Sequence, residues 1–214
     1  ASALFAPRTD EAAARAGSAA VIVRALLRDK RVAGMLAASA LVQGAHAAYY
    51  TFSVLHWKGL GYQPREIGAL WSIGVIVEIL LLWRARRLER FSGETLLFVG
   101  ALGAVLRWLG VAAEPPLPLL FLVQTLHAAS FALAYIGMMQ FLRARVEPGL
   151  LGAAVATNST LIAVVTGIAT VAAGYIVGAS GGPAAYLLMA TMAAASAAMA
   201  YALRRGRGVQ TAAS

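Results

Sequence analysis

The sequence predicts an all-α polytopic membrane protein whose six transmembrane helices form a three-plus-three inverted repeat. Three observations predict it. Hydrophobic residues fill 60% of the 214 positions and charged residues 13%, with a mean hydropathy of +0.74, which leaves too few polar side chains to clothe a soluble fold. Six apolar stretches approach the ~20 residues a helix needs to cross the hydrocarbon core. One eight-residue motif also occurs twice, in stretches that cross in opposite directions. The apolar runs do not alternate as barrel strands would, and an open sheet would leave backbone groups unpaired in lipid.

Turn residues separate the spans in order. The first, 32–57, is closed by Gly59, Gly61 and Pro64. The second, 67–83, is the shortest and stops at the arginine cluster beginning with Arg84. The third, 95–113, runs into Pro115, Pro116 and Pro118. The fourth, 117–142, meets Pro148 and Gly149, and the fifth, 150–179, meets Gly181, Gly182 and Pro183. The sixth is 183–203. Residues 1–31 read as a cytoplasmic linker and pre-membrane segment, 32–203 as the transmembrane domain and 204–214 as a cytoplasmic tail. No secretory signal pattern follows Ala1, and the chain is expected to begin inside a longer gene product.

Charge orients the spans. The net charge of +9 comes from 18 Lys and Arg against 9 Asp and Glu. A nucleic-acid binder would gather these on one solvated face; here they stand in short clusters between apolar runs, so no nucleic-acid partner is expected. Thirteen flanking cations lie on one side: Arg24, Arg28, Lys30 and Arg31; Arg84, Arg86, Arg87 and Arg90; Arg143 and Arg145; Arg204, Arg205 and Arg207. Only Lys58 and Arg65 lie on the other. The positive-inside rule then places both termini in the cytosol, as an even number of spans requires.

The repeat joins Leu41-Val42-Gln43-Gly44-Ala45-His46-Ala47-Ala48 in the first span to Leu122-Val123-Gln124-Thr125-Leu126-His127-Ala128-Ala129 in the fourth, with six of eight positions identical at an offset of 81. Alanine pairs arise easily in this composition, but Gln and His in register inside two spans do not. The first and fourth spans run antiparallel, so the repeat is inverted.

Ionisable groups inside a bilayer are costly and need partners. At ~1.5 Å rise per residue, Glu78 and His127 lie roughly 15 Å from the outer boundary and Arg107 about 12 Å from it. These three groups, on the second, third and fourth spans, therefore share a layer and form a candidate proton-coupling network. A static Glu78–Arg107 ion pair that merely orders helices is the plainer alternative, as is a simple interhelical hydrogen bond for His127. Helical spacing places Gln43, His46 and Tyr50 on one stripe, Gln124, His127 and Phe131 on its repeat, and Trp71 and Gly74 with Glu78 on the second span. Gln43, His46, Tyr50, Trp71, Gln124 and Phe131 are thus the candidate substrate cavity. The run Thr157-Asn158-Ser159-Thr160 is expected to hydrogen-bond across helices, and His56 receives no role. Nothing points to catalysis: there is no Cys, no metal-ligand spacing and no phosphate-binding glycine loop. Neither an enzyme, nor a metal, nor an organic cofactor is expected.

Ala48-Tyr49-Tyr50-Thr51-Phe52-Ser53 and the segment Gly68 to Ile79 (GALWSIGVIVEI), continued by Arg107-Trp108 and Gln124 to His127, resemble the C-terminal six-helix half of major facilitator superfamily permeases, phenylpropionate permease-like branch, over about residues 24 to 205. Glu89, Arg90 and Gly93 carry a reduced form of that family's cytoplasmic loop motif. The likeness to lactose permease is more distant. There, an arginine and a histidine matching Arg107 and His127 belong to the proton-coupling network, whereas Gln124 replaces a lysine and Ser130 the proton-carrying carboxylate. The resemblance implies one half of a proton-coupled symporter in a bacterial cytoplasmic (inner) membrane, moving a small organic solute such as an aromatic acid by alternating access. Glu78 would be the displaced proton carrier, and Arg107 would neutralise a substrate carboxylate. The partners implied are the lipid bilayer, a small-molecule substrate, and a missing N-terminal six-helix half or a second copy. A non-transporting membrane scaffold that keeps the fold is the alternative.

Overall fold

The computed structural model describes residues 20–211; the expected linker at 1–19 and the last residues of the tail lie outside them. Every regular element among the described residues is helical. A short helix over 20–28 leads to Asp29, whose carboxylate accepts from the backbone N–H of Arg31 (2.8 Å) and Val32 (3.3 Å). That cap starts α1, Lys30–Gly44, and α2, Ala47–Gly59, completes the first span. Next comes α3, Pro64–Trp83, which opens with Pro at its first position and a Glu66 carboxylate reaching back to the Gln63 N–H at 2.8 Å. The Ser92 hydroxyl caps α4, Gly93–Ala112. The fourth span comprises α5, Leu117–Thr125, a π-helical turn at Ala128–Leu133, and α6, Ala134–Arg145. The last two are α7, Leu151–Ser180, and α8, Gly182–Thr211, joined through Gly181 at φ +84°, a conformation that favours glycine.

Among the described residues, five helices are long and apolar enough to cross a bilayer: Pro64–Trp83, Gly93–Ala112, Leu117–Arg145, Pro148–Ser180 and Gly182–Gly206. The first span departs from the single rod the sequence predicts, because α1 and α2 part at Ala45–His46. There the His46 N–H bonds to Gln43 O, three residues back, and the His46 ring reaches the Val42 and Gln43 carbonyls at 3.1 and 3.2 Å. The fourth span breaks at the matching place, where the Leu126 N–H bonds to Val123 O before the π turn. Both copies of the repeated motif thus interrupt their helix, a device that frees backbone groups near a midplane site.

Packing follows the same exchange. The third and sixth spans, α4 and α8, form the most extensive pair; the first packs on the fifth as the fourth packs on the second; and the first packs on the sixth as the fourth packs on the third. Swapping spans 1–3 for 4–6 maps each of these pairs onto another of them, as a three-plus-three repeat requires, although the fifth and sixth spans touch more than the second and third. The core lies around α4, buried along one face from Leu97 to Val111. Equivalent spans α3 and α7 are peripheral, with 17% and 11% of their apolar windows buried.

Close backbone approach locks α4 to α6. A side chain at Gly137 would stand 2.6 Å from Gly93 O and Leu97 N, and one at Gly93 would run into the Gly137 carbonyl. At the end of the bundle where α1 begins, Arg31 bonds Glu94 at 2.9 Å and Leu203 O at 3.0 Å, tying α1 to α4 and α8. The run 157–160 does not bridge helices: the Thr157, Ser159 and Thr160 hydroxyls donate to the carbonyls of Ala153, Val155 and Ala156 one turn back. Short β-hydroxyl side chains reach their own helix first.

Candidate functional site

The two helix breaks meet at Arg107. This arginine, on the buried face of α4, is fully buried. Its Nη2 donates to Gln124 Oε1 at 2.8 Å, and its Nη1 to His127 Nδ1 at 2.9 Å and Ser130 Oγ at 3.3 Å. The rings of Tyr49 and Trp108 lie 4.5 Å from its guanidinium carbon, close enough for cation–π attraction. Two short helices, α1 and α5, end beside these partners from opposite sides of the membrane, and the partial negative charge of a helix C-terminus favours a cation. Together these compensate a charge that would otherwise cost several kcal/mol in hydrocarbon.

The static Glu78–Arg107 ion pair, the plainer alternative in the sequence, is absent from the described ion pairs; His127 stands between. Its Nε2 is 3.2 Å from Glu78 Oε2, so acid, imidazole and guanidinium do share one layer but in series. Glu78 retains 19% of its side-chain surface exposed against 9% for His127, so the chain runs from the buried core to an accessible edge. Gly74, one turn before Glu78, admits the imidazole: a side chain there would lie 3.3 Å from His127 Cβ.

The candidate cavity residues divide by depth. Gln124 and His46 are fully buried and Gln43 nearly so, with Gln43 Nε2 donating to Phe131 O at 3.1 Å. Tyr50 is 47% exposed and stacks on His46 at 5.7 Å. Phe131 stacks on His127 at 5.4 Å. Trp71, partly buried, stacks on Tyr49 at 4.5 Å. Aromatic rings therefore surround the polar chain, and Tyr50 and Glu78 mark its open side.

Three residues of the site, Tyr49, Ser130 and Trp108, stood outside the candidate set drawn from the sequence. Tyr49 and Ser130 lie three residues past His46 and His127, hence on the same helical face, and correspond to each other under the 81-residue offset. That register was a usable signal. Trp108, beside Arg107 in sequence, gave none, because only the folded ring orientation brings it over the guanidinium. His56 sits apart, its Nε2 3.5 Å from Glu114 Oε1 and its ring 5.5 Å from Tyr186. No group of three or more His, Asp or Glu residues able to hold a metal occurs among the described residues.

Comparison with known proteins places the chain by its sequence. The chain is 39% identical over 111 residues to the probable 3-phenylpropionic acid transporter of Escherichia coli K12. The match covers 51% of this chain and 29% of that relative, so the chain spans well under two thirds of it. No solved structure matches. The sequence model of the MFS_1 like family matches residues 6–196, the helix pairing follows an inverted repeat, and the chain belongs to that family as a multi-pass membrane protein.

Proposed function

We propose that this chain is one half of a proton-coupled secondary transporter for a small organic acid, an aromatic monocarboxylate being the favoured solute. The single observation that carries the reading is Arg107, a midplane cation surrounded by neutral hydrogen-bond acceptors and aromatic faces, which among the described residues meets a carboxylate only through His127. A positive site compensated at one remove is suited to an anion that comes and goes. Glu78 at the accessible end is the proton carrier and His127 its link to Arg107. The scaffold alternative fits less well, since a purely structural cluster has no need of a partly exposed carboxylate at its end.

In this reading the chain lies in a bacterial inner membrane with both termini cytoplasmic. The apolar faces of α3 and α7 meet a second six-helix half, supplied by the same product or by another copy, and rocking of the halves alternates access. Arg107 is fully buried, so a carboxylate reaches it only after Gln124 or His127 gives way. The test is uptake of labelled 3-phenylpropionate by cells making the full-length protein. The parent is expected to accumulate the acid until a protonophore is added. Glu78→Gln should abolish accumulation while sparing exchange of internal for external solute. Accumulation by Glu78→Gln equal to the parent would remove Glu78 from the proton route, and protonophore-insensitive accumulation by the parent would remove proton coupling altogether.

A further inference from the structure

The two imidazoles at the breaks are held in opposite tautomers, and this separates their roles. Arginine has donors only, so His127 Nδ1, 2.9 Å from Arg107 Nη1, must be an acceptor. The neutral ring then carries its proton on Nε2 and donates to Glu78. His46 is the reverse. Its Nδ1 faces the Val42 and Gln43 carbonyls, which only accept, so that nitrogen bears the proton and Nε2 holds the lone pair, 3.3 Å from Ser130 Oγ.

Ser130 completes the argument. Its oxygen accepts from Arg107, and its single proton has two acceptors within reach, His46 Nε2 and His127 O, each at 3.3 Å. Turning that hydroxyl from one to the other frees the His46 lone pair without moving a heavy atom. His127 has no such freedom, since protonating its Nδ1 requires Arg107 to withdraw.

Resting on the symport reading above, we propose that His46 is a second proton-accepting group of the site, gated by rotation of the Ser130 hydroxyl, and that its protonation and the binding of an anionic solute at Arg107 favour one another. The step balances simply. One proton from the aqueous side adds to His46 Nε2; the Ser130 O–H turns to His127 O; and the new Nε2–H donates to Ser130 Oγ. The charged and titratable groups facing His46 are Arg107 of α4, His127 at 5.7 Å between ring centres with Glu78 of α3 behind it, and Tyr49 and Tyr50 of α2. From α8, Tyr186 stands behind Trp108, the two rings stacked at 6.2 Å. Beside Arg107 a second cation is unfavourable until a carboxylate arrives, and that mutual dependence is reciprocal coupling between two ligands.

Nitrogen-15 NMR of histidine-labelled full-length protein in liposomes tests the tautomers directly, with signals assigned by His46→Gln and His127→Gln. The expected result is a proton on Nδ1 of His46 and on Nε2 of His127; the same tautomer at both would overturn the proposal. In the parent near pH 6, added 3-phenylpropionate should convert the His46 signal, and not that of His127, to the doubly protonated form. Binding of the acid should strengthen by up to about tenfold per unit fall in pH, the limit for one linked proton. His46→Gln and Ser130→Ala should flatten that slope and Glu78→Gln leave part of it. A slope kept by His46→Gln and lost in Glu78→Gln would overturn the role of His46 while leaving the symport reading intact. No binding of the acid by the parent would overturn the aromatic-acid reading and this coupling with it.

Discussion

Arg107 concentrates the energetics of the site in one side chain. Its planar fork serves Gln124, His127 and Ser130 at once while the rings of Tyr49 and Trp108 stand beside it, a geometry that an ammonium cannot reproduce. Arg107→Lys keeps the charge and strands at least one of the three acceptors, each worth about 1–3 kcal/mol when buried without a donor. Substrate uptake should fall by about 10²-fold or more, as initial-rate transport assays would register. Wild-type rates in that variant would mean that charge alone, without the fork, is what the site requires. The same residue marks where sequence reasoning stops. Helical rise placed Glu78, Arg107 and His127 on one level correctly, but rise reports depth and leaves open which way a side chain points. The insertion of His127 between acid and base depends on the azimuth of α3, set by the bare backbone at Gly74.

Among elements, the start of α1 offers the clearest energetic handle. Asp29 caps that helix and pairs with Arg145 at the end of α6, Nε to Oδ2 at 2.8 Å. Burial pushes the Asp29 carboxyl up, but the Arg145 guanidinium and the two backbone donors outweigh it and hold it below its ordinary value. A depressed carboxyl contributes stability above its unfolded value of about 4, and that contribution fades as pH falls through the lower folded value. Asp29→Ala should therefore cost about 1 kcal/mol near neutral pH, with the gap closing below about pH 4. Melting temperatures in detergent at the two pH values check both parts, and an equal penalty at both would assign the effect to packing. Elements were largely legible beforehand: helix ends fell within a few residues of prediction, because Pro and Gly punctuate long apolar runs, except that the last helix continues to Thr211, past the predicted end at 203. The break at Ala45–His46 was not, since it arises from one shortened hydrogen bond and the composition around it is ordinary for a helix.

For the whole molecule, the thirteen-to-two cation asymmetry makes a topological prediction that the absence of Cys makes easy to test. A membrane-impermeant maleimide should label Lys58→Cys in intact cells and Arg86→Cys only after the inner face is opened; the reverse pattern would invert the orientation. The architecture was readable from one repeated motif, and the main packing pairs between spans follow the same exchange. Which surfaces stay uncovered was not readable, because α3, α7 and the central α4 are apolar alike and only folding distributes their neighbours. Gly93 and Gly137 carry one further consequence. Where two main chains touch with no side chain between them, sliding or twisting meets hard repulsion at once, so α4 and α6 behave as a single stiff beam. Any deformation during a working cycle must then concentrate where the ladder is already interrupted, at Ala45–His46 and in the turn after Leu126. The compliant points of the molecule and its charged centre are thus the same place, and a solute seated there would press directly on the joints.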